Sequence, residues 1–300
     1  MKKALKIILG IIVTAIILYF CILALRNVDF KSIQHLNINY FYMFSAVLAF
    51  VGSNYAKAAM YTHGIARGMR FFDAVRFNSV GNAVNMVLPL KAGEGFKLTL
   101  FPKEYSVTDR GKLFGLSSAL DAVSIIVFAI LATIIFPFKN NSPIIYNLNM
   151  KGLVIASSIV IGLLAAAGIG IAFCFKSTRK QLLALFEGDI FWALFYNMVS
   201  WTLLYISKVF GLMSLDYFTF LPAVEVALLV TVTTNIAIII PSSPGALGLF
   251  EYAVFLALIQ AGYDDAHSLT AGLLLHLTQY IGLLPMGLYY YFKGLRKKNA

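Results

Sequence analysis

The apolar run at residues 235–251, NIAIIIPSSPGALGLFE, is interrupted by Pro241-Ser242-Ser243-Pro244-Gly245 and resumes at once. Two prolines and a glycine in five residues cannot continue a helix, because proline has no N–H to donate and its ring collides with the preceding turn. In hydrocarbon the freed backbone groups find no water. A break at that depth survives only inside protein or beside a water-filled cavity. Residues 82–95, NAVNMVLPLKAGEG, repeat the theme: asparagine, apolar residues, proline, then glycines and a glutamate. Two interrupted apolar segments at corresponding places in two halves of a chain point to a membrane transporter's binding site.

Composition puts these breaks in a bilayer. Of 300 residues, 60% are hydrophobic and only 12% charged, with mean hydropathy +0.82. A soluble domain carries about a quarter charged residues. The chain therefore reads as an all-α polytopic membrane protein, one integral membrane domain over 1–300. The formal charge of +11 lies between apolar runs, as in loops facing anionic lipid, so nucleic acid is not an expected partner. Cys21 and Cys174 fall near opposite faces in the topology below, which excludes a disulfide between them. No Cys/His metal spacing and no GxxxxGK[ST] loop occurs, so neither a metal nor any other cofactor is expected.

Six full spans are expected, at 7–25, 41–61, 115–136, 153–175, 190–211 and 269–292. The first is longer than a signal-peptide core of about 7–15 residues and lacks a cleavage site, so it reads as retained. Between the second and third spans, 77–90 descends and 96–101 returns. The return arm is too short to cross about 30 Å of hydrocarbon, so the pair reads as a re-entrant hairpin. Segments 222–240 and 246–260 flank the second break, although 222–240 is also long enough to cross fully. Residues 140–149 form an external loop, and 176–188 a short interfacial helix.

The basic residues orient this arrangement. Lys2, Lys3, Lys6, Arg67, Arg70, Arg76, Lys91, Lys97, Lys103, Arg110, Lys112, Lys176, Arg179, Lys180, Lys293, Arg296, Lys297 and Lys298 fall on one side, and only Arg26, Lys31, Lys139 and Lys151 on the other. The positive-inside rule puts both termini in the cytoplasm. Each half, about 1–138 and 150–300, then reads span, span, broken hairpin, span. The halves have opposite orientation, and their two hairpins are opposed.

Ionisable groups within spans are expensive and mark function. Glu94, Asp121, Glu225 and Glu251 are the carboxylates near the interior. Each has a structural alternative: Glu94 as a solvated loop acid, Asp121 as a partner for Lys57, Glu225 as an interfacial residue, Glu251 as a helix-terminus acid. Lys57 is also near enough to a membrane face to snorkel. Asn78, Asn82 and Asn85 share one helical face. Asn197, Trp201 and Lys208 lie on or near one face of the fifth span. His276 is either a hydrogen-bonded core residue or, with Asp121, part of a proton relay. Gly93, Gly95, Gly245 and Gly248 allow close approach of backbone to a ligand or of one hairpin to the other. The helix restarting after Pro244-Gly245 would offer free amides to a phosphate.

The stretches NAVNMVLPLKAGEGFKLTL and IIIPSSPGALGLFEYA resemble the two signature regions of the lysylphosphatidylglycerol synthase transmembrane region family. That family includes the flippase half of the multiple peptide resistance factor. The motifs fall on Asn85, Leu88, Pro89, Gly93 and Glu94, and on Pro241, Ser243, Pro244, Gly245, Gly248 and Glu251. Lys97 stands where many members carry arginine, which keeps a cation but loses bidentate geometry. The resemblance implies movement of an anionic or aminoacylated phospholipid, or another lipid-linked head group, between leaflets of the plasma membrane. It does not imply aminoacyl transfer, which in the resistance factor belongs to a separate soluble domain.

The expected substrate path holds Asn82, Asn85, Pro89, Gly93, Glu94, Lys97, Asn235, Pro241, Ser243, Pro244, Gly245, Gly248 and Glu251. Lys97 and the 246–248 amides would hold phosphate. Membrane phospholipids are the expected partners; self-association and a separate lipid-modifying enzyme stay open. A small-solute or ion transporter with the same repeat and an integral-membrane lipid-modifying transferase are the alternatives.

Overall fold

A computed structural model describes residues 37–135, 189–240 and 243–299. The expected spans at 7–25 and 153–175, the loop 140–149, the interfacial segment 176–188, Cys21, Cys174 and Pro241 lie outside the described residues.

Among those residues there are eight α-helices and no strand. Helix α1 is Tyr40–Ala59 and passes into a π-turn, Met60–Ile65. Its first turn is capped by Asn39, whose side-chain oxygen accepts from the Phe41 amide at 3.1 Å. Helices α2 (Phe71–Val87) and α3 (Ala92–Leu100) form the first hairpin. Pro89 disfavours helical backbone at the residue before it, and Leu88 is extended at φ −105° and ψ 143°. The turn closes through left-handed Leu90 and Lys91. Helix α4 is Val107–Ile135, started by the Ser106 hydroxyl, which accepts from the Asp109 amide.

Helix α5 is Asp189–Met213 and α6 is Phe220–Ala237. The second break follows. Its short 3-10 turn, Pro244–Ala246, has Gly245 at φ 60°. Helix α7, Leu249–Ala261, ends on left-handed Gly262, and α8 is Asp265–Asn299.

The boundaries correct the sequence expectation in one direction. Helix α4 begins at 107 rather than 115, α2 at 71 rather than 77, and α8 at 265 rather than 269. Apolar runs mark where a helix meets lipid or core, whereas backbone hydrogen bonding continues into the polar flanks until a cap ends it. At the second break the deviation is reversed: the helix restarts at Leu249, not at 246.

Five helical stretches are long and apolar enough to cross a membrane: α4, α5, α6, Pro244–Ala261 and α8. The chain is a polytopic α-helical membrane protein. The two hairpins differ in reach. Both arms of the second qualify as crossing length, whereas the first has arms of 17 and 9 residues. Exposed Leu273, Leu277, Ile281 and Leu288 draw an apolar stripe along α8, and Ile130 and Ile134 extend one on α4. Such faces suit hydrocarbon rather than water.

Helices α1 and α5 pack against each other. Helix α8 packs on α2 of the first hairpin, while α4 packs on α6 of the second. The helix that follows each hairpin therefore packs on the other hairpin. The α8–α2 contact is tight: a methyl group added at Gly287 would lie 2.3 Å from Ala83 Cβ.

Candidate functional site

The first hairpin is made possible by two glycines. A Cβ at Gly93 would lie 2.0 Å from the Gly81 carbonyl, and a Cβ at Gly81 would lie 2.1 Å from Lys97 Cγ. Without side chains there, α3 folds flat on α2 and delivers Glu94 and Lys97 beside the asparagine face. Asn85 Nδ2 donates to Glu94 Oε1 at 2.7 Å, and Lys97 Nζ donates to the same oxygen at 3.0 Å. Asn82 Nδ2 donates to Asn54 Oδ1 of α1 at 3.2 Å. The amide face is thus tied to both neighbouring helices.

A second polar cluster joins α1, α4 and α5. Lys57 Nζ donates to Asp121 Oδ1 at 2.6 Å and to Asn197 Oδ1 at 2.8 Å. The Trp201 indole N–H donates to the same Asp121 oxygen at 2.9 Å. Asn197 Nδ2 donates to the Ser124 hydroxyl and to the Leu120 carbonyl. The Lys57 ammonium therefore stays inside the protein, held by a carboxylate and an amide, rather than reaching for a membrane face. A buried ion pair offsets its desolvation only with further hydrogen bonds, and Asn197 and Trp201 supply two here.

The tip of the second hairpin meets the first. Tyr280 Oη of α8 donates to the Met86 carbonyl at 3.3 Å, and a Cβ at Gly245 would lie 2.1 Å from that phenol oxygen. Between these parts is a cavity of about 760 Å³, within the range of ligand pockets. Asn82, Asn85, Glu94, Lys97, Asp121, Asn235, Ser243 and Gly245 line it, together with Asn54, Lys57, Asn78, Lys91, Ser117, Trp201 and Lys208. Its rim includes exposed Ser118, Ile239 and Ile240.

Several expected site residues lie elsewhere. Pro89, Gly93, Pro244, Gly248, Glu251 and His276 are outside the cavity wall. The amides expected to hold phosphate are already used: Ala246 N–H goes to the Ser243 carbonyl, Leu247 N–H to the Pro244 carbonyl, and Gly248 N–H to Glu251 Oε2 at 2.7 Å. Glu251 caps its own helix, and an anion there would have to displace it. Its other oxygen, Oε1, meets His276 Nδ1 at 2.7 Å, with both side chains buried. The His276 ring stacks on Phe250 at 4.6 Å. His276 and Asp121 belong to separate clusters.

Lys91 is not among the site residues expected from the sequence, and helical periodicity puts Lys208 only on a shared face with Asn197 and Trp201. The signal for Lys208 was available: Trp201 and Lys208 are seven residues apart, two turns along one face. Lys91 sits in the LPLKAGEG turn itself.

The chain is an α-helical membrane protein whose two interrupted hairpins surround a charged internal cavity. The family model described as "Lysylphosphatidylglycerol synthase TM region" matches residues 7–287, and the chain belongs to that family. No curated protein and no solved structure matches it.

Proposed function

We propose that this protein moves the polar head group of a membrane phospholipid between leaflets, through the cavity between the hairpins, while the acyl chains remain in lipid. The observation that carries the reading is a large cavity walled by amides, carboxylates and ammonium groups, inside a protein whose outer helical faces are apolar. The exposed rim at Ser118, Ile239 and Ile240 supports a lateral opening through which the tails of a bound lipid stay outside. The crossed packing of α4 and α8 supports two related halves, and we read them as inverted, with opposed re-entrant tips. In this reading the protein resides in the plasma membrane with both termini cytoplasmic, and the lipid is its partner.

Glu94 is the residue at the centre of the path. It holds Asn85 and Lys97 together on the first hairpin, so a head group competing for either cation or amide would open that contact. The test is leaflet exchange. Purified protein is reconstituted into liposomes with fluorescent phosphatidylglycerol, lysyl-phosphatidylglycerol or a neutral lipid, and an impermeant quencher is added. Protein-dependent loss of the protected fraction, reduced at least tenfold in Glu94→Gln, is expected. Full protection of every lipid by folded protein refutes translocation, and flux of a small solute under the same conditions would replace it with solute transport. A Glu94→Gln variant that exchanges lipid like the wild type removes Glu94 from the path.

A further inference from the structure

The charges on the cavity wall do not balance. Lys57, Lys91, Lys97 and Lys208 line it, against Glu94 and Asp121. Lys57 is paired with Asp121 and Lys97 with Glu94. Among the described residues, no carboxylate lies within salt-bridge distance of Lys91 or Lys208. Lys208 is the more demanding of the two. Only 3% of it is exposed, and it lies on α5 two turns from Trp201, with Thr234 and Asn235 of α6 on the same wall. An isolated buried ammonium is expensive unless something neutralises it. An ammonium offers three donors and no acceptor, so its complement is an anion rich in oxygen.

We propose that Lys208 is the anchor for the phosphate of a net-anionic lipid head group, and that the excess of two cations makes the cavity reject a lysyl-esterified, net-cationic one. This deepens the translocation reading and rests on it only for the lipid as the source of the phosphate. The physical basis is differential. A phosphodiester brings one negative charge to a wall that has cations to spare, whereas an added lysyl group brings two ammonium groups to the same wall. Specificity then comes from like-charge repulsion as much as from attraction. Lys208 contributes a point charge rather than a planar fork, so arginine can replace its charge.

Trp201 provides a reporter in the same wall. The chain has two tryptophans, so Trp192→Phe leaves Trp201 as the only one. In that background and in detergent, Trp201 fluorescence is followed while dioctanoyl phosphatidylglycerol, dioctanoyl lysyl-phosphatidylglycerol, dioctanoylglycerol or glycerol phosphate is added. Phosphatidylglycerol is expected to bind at least tenfold more tightly than its lysyl ester, and dioctanoylglycerol not to bind. Lys208→Met should weaken phosphatidylglycerol at least tenfold, and Lys208→Arg should restore most of that loss. Lys208→Met should also melt no lower than the parent, because it removes an uncompensated buried charge, which separates lost binding from lost folding. Equal affinity for phosphatidylglycerol and its lysyl ester overturns the selectivity. An unchanged affinity in Lys208→Met, or no binding of any anion, overturns the anchor. Glycerol phosphate binding as tightly as the lipid, and dependent on Lys208, supports the anchor while removing the lipid source. Lys208-dependent lipid binding without leaflet exchange leaves this site standing and refutes translocation alone.

Discussion

Replacing Glu251 and His276 singly and together separates a structural role for this pair from a role in transport. Glu251 accepts two hydrogen bonds, from Gly248 N–H and from His276 Nδ1, each at 2.7 Å, and both side chains are almost wholly inside the protein. Glu251→Leu deprives the buried His276 ring and the half-buried Gly248 amide of their carboxylate, at about 1–3 kcal/mol each, so a loss of about 3 kcal/mol is expected. His276→Leu leaves a buried carboxylate with a single backbone partner, and breaking such a pair costs about 3–5 kcal/mol. In the double variant neither the carboxylate nor the imidazole remains, and the main defect is the uncapped Gly248 amide, about 1 kcal/mol. The double variant should therefore be more stable than either single one. At roughly 2–4 °C per kcal/mol, Glu251→Leu should melt about 6–12 °C and His276→Leu about 6–20 °C below wild type in a fixed detergent. Thermal unfolding followed by intrinsic fluorescence measures all four proteins. Losses that add to within about 0.5 kcal/mol in the double variant, or single variants that melt like wild type, refute the coupling.

Two further outcomes are expected. Gly93→Ala puts a methyl group 2.0 Å from the Gly81 carbonyl, so forcing the hairpin apart should cost about 1–3 kcal/mol and abolish exchange. Gly95→Ala, where an added methyl meets nothing within 4 Å, should keep both stability and exchange; equal melting of the two variants refutes the close-packing argument. At the start of α8, outside the membrane-spanning segments, burial raises the Asp264 carboxyl pKa, but the hydrogen bonds from the His267 amide and ring outweigh it and hold the group below its ordinary value. A carboxyl lowered in the folded state contributes stability above its unfolded pKa and loses it as pH falls through the folded one. Asp264→Asn should thus lower the melting temperature modestly at pH 7, with the difference from wild type vanishing in strong acid; a difference that persists there refutes the assignment.

The breaks were legible because proline and glycine act locally: Pro89 dictates extended Leu88, and Pro244-Gly245 dictates the stop before α7. The amide face at Asn78, Asn82 and Asn85 was legible because helical periodicity places them together, and the cavity wall contains all three. What the motif could not reveal was how each of its members is used. Glu94 and Glu251 occupy similar places in their motifs, yet one lines the cavity and the other caps a helix. That difference depends on where the flanking glycines put the helix start, which is a matter of backbone conformation at Gly245 and Gly248. The partnership of Lys57 with Asp121 was among the readings of the sequence, but Asn197 and Trp201 join it only through packing of α5 between α1 and α4. Likewise, the excess charge of the cavity emerges only after each lysine has been matched with a neighbour.

The crossed packing of α4 and α8 also sets an order for biosynthesis. Helix α2 carries a buried polar face and is covered by α8, a helix made much later than α2 itself. Until α8 arrives, the surface around Ser79 and Ala83 that closes against Gly287 has no cover. The first hairpin therefore cannot reach its final environment until α8 has been made. Its asparagines must be sheltered by the insertion machinery, or kept in contact with interfacial water, through the synthesis of some two hundred further residues. Assembly of the first hairpin in that sense waits on α8, even though insertion of the individual helices proceeds in sequence.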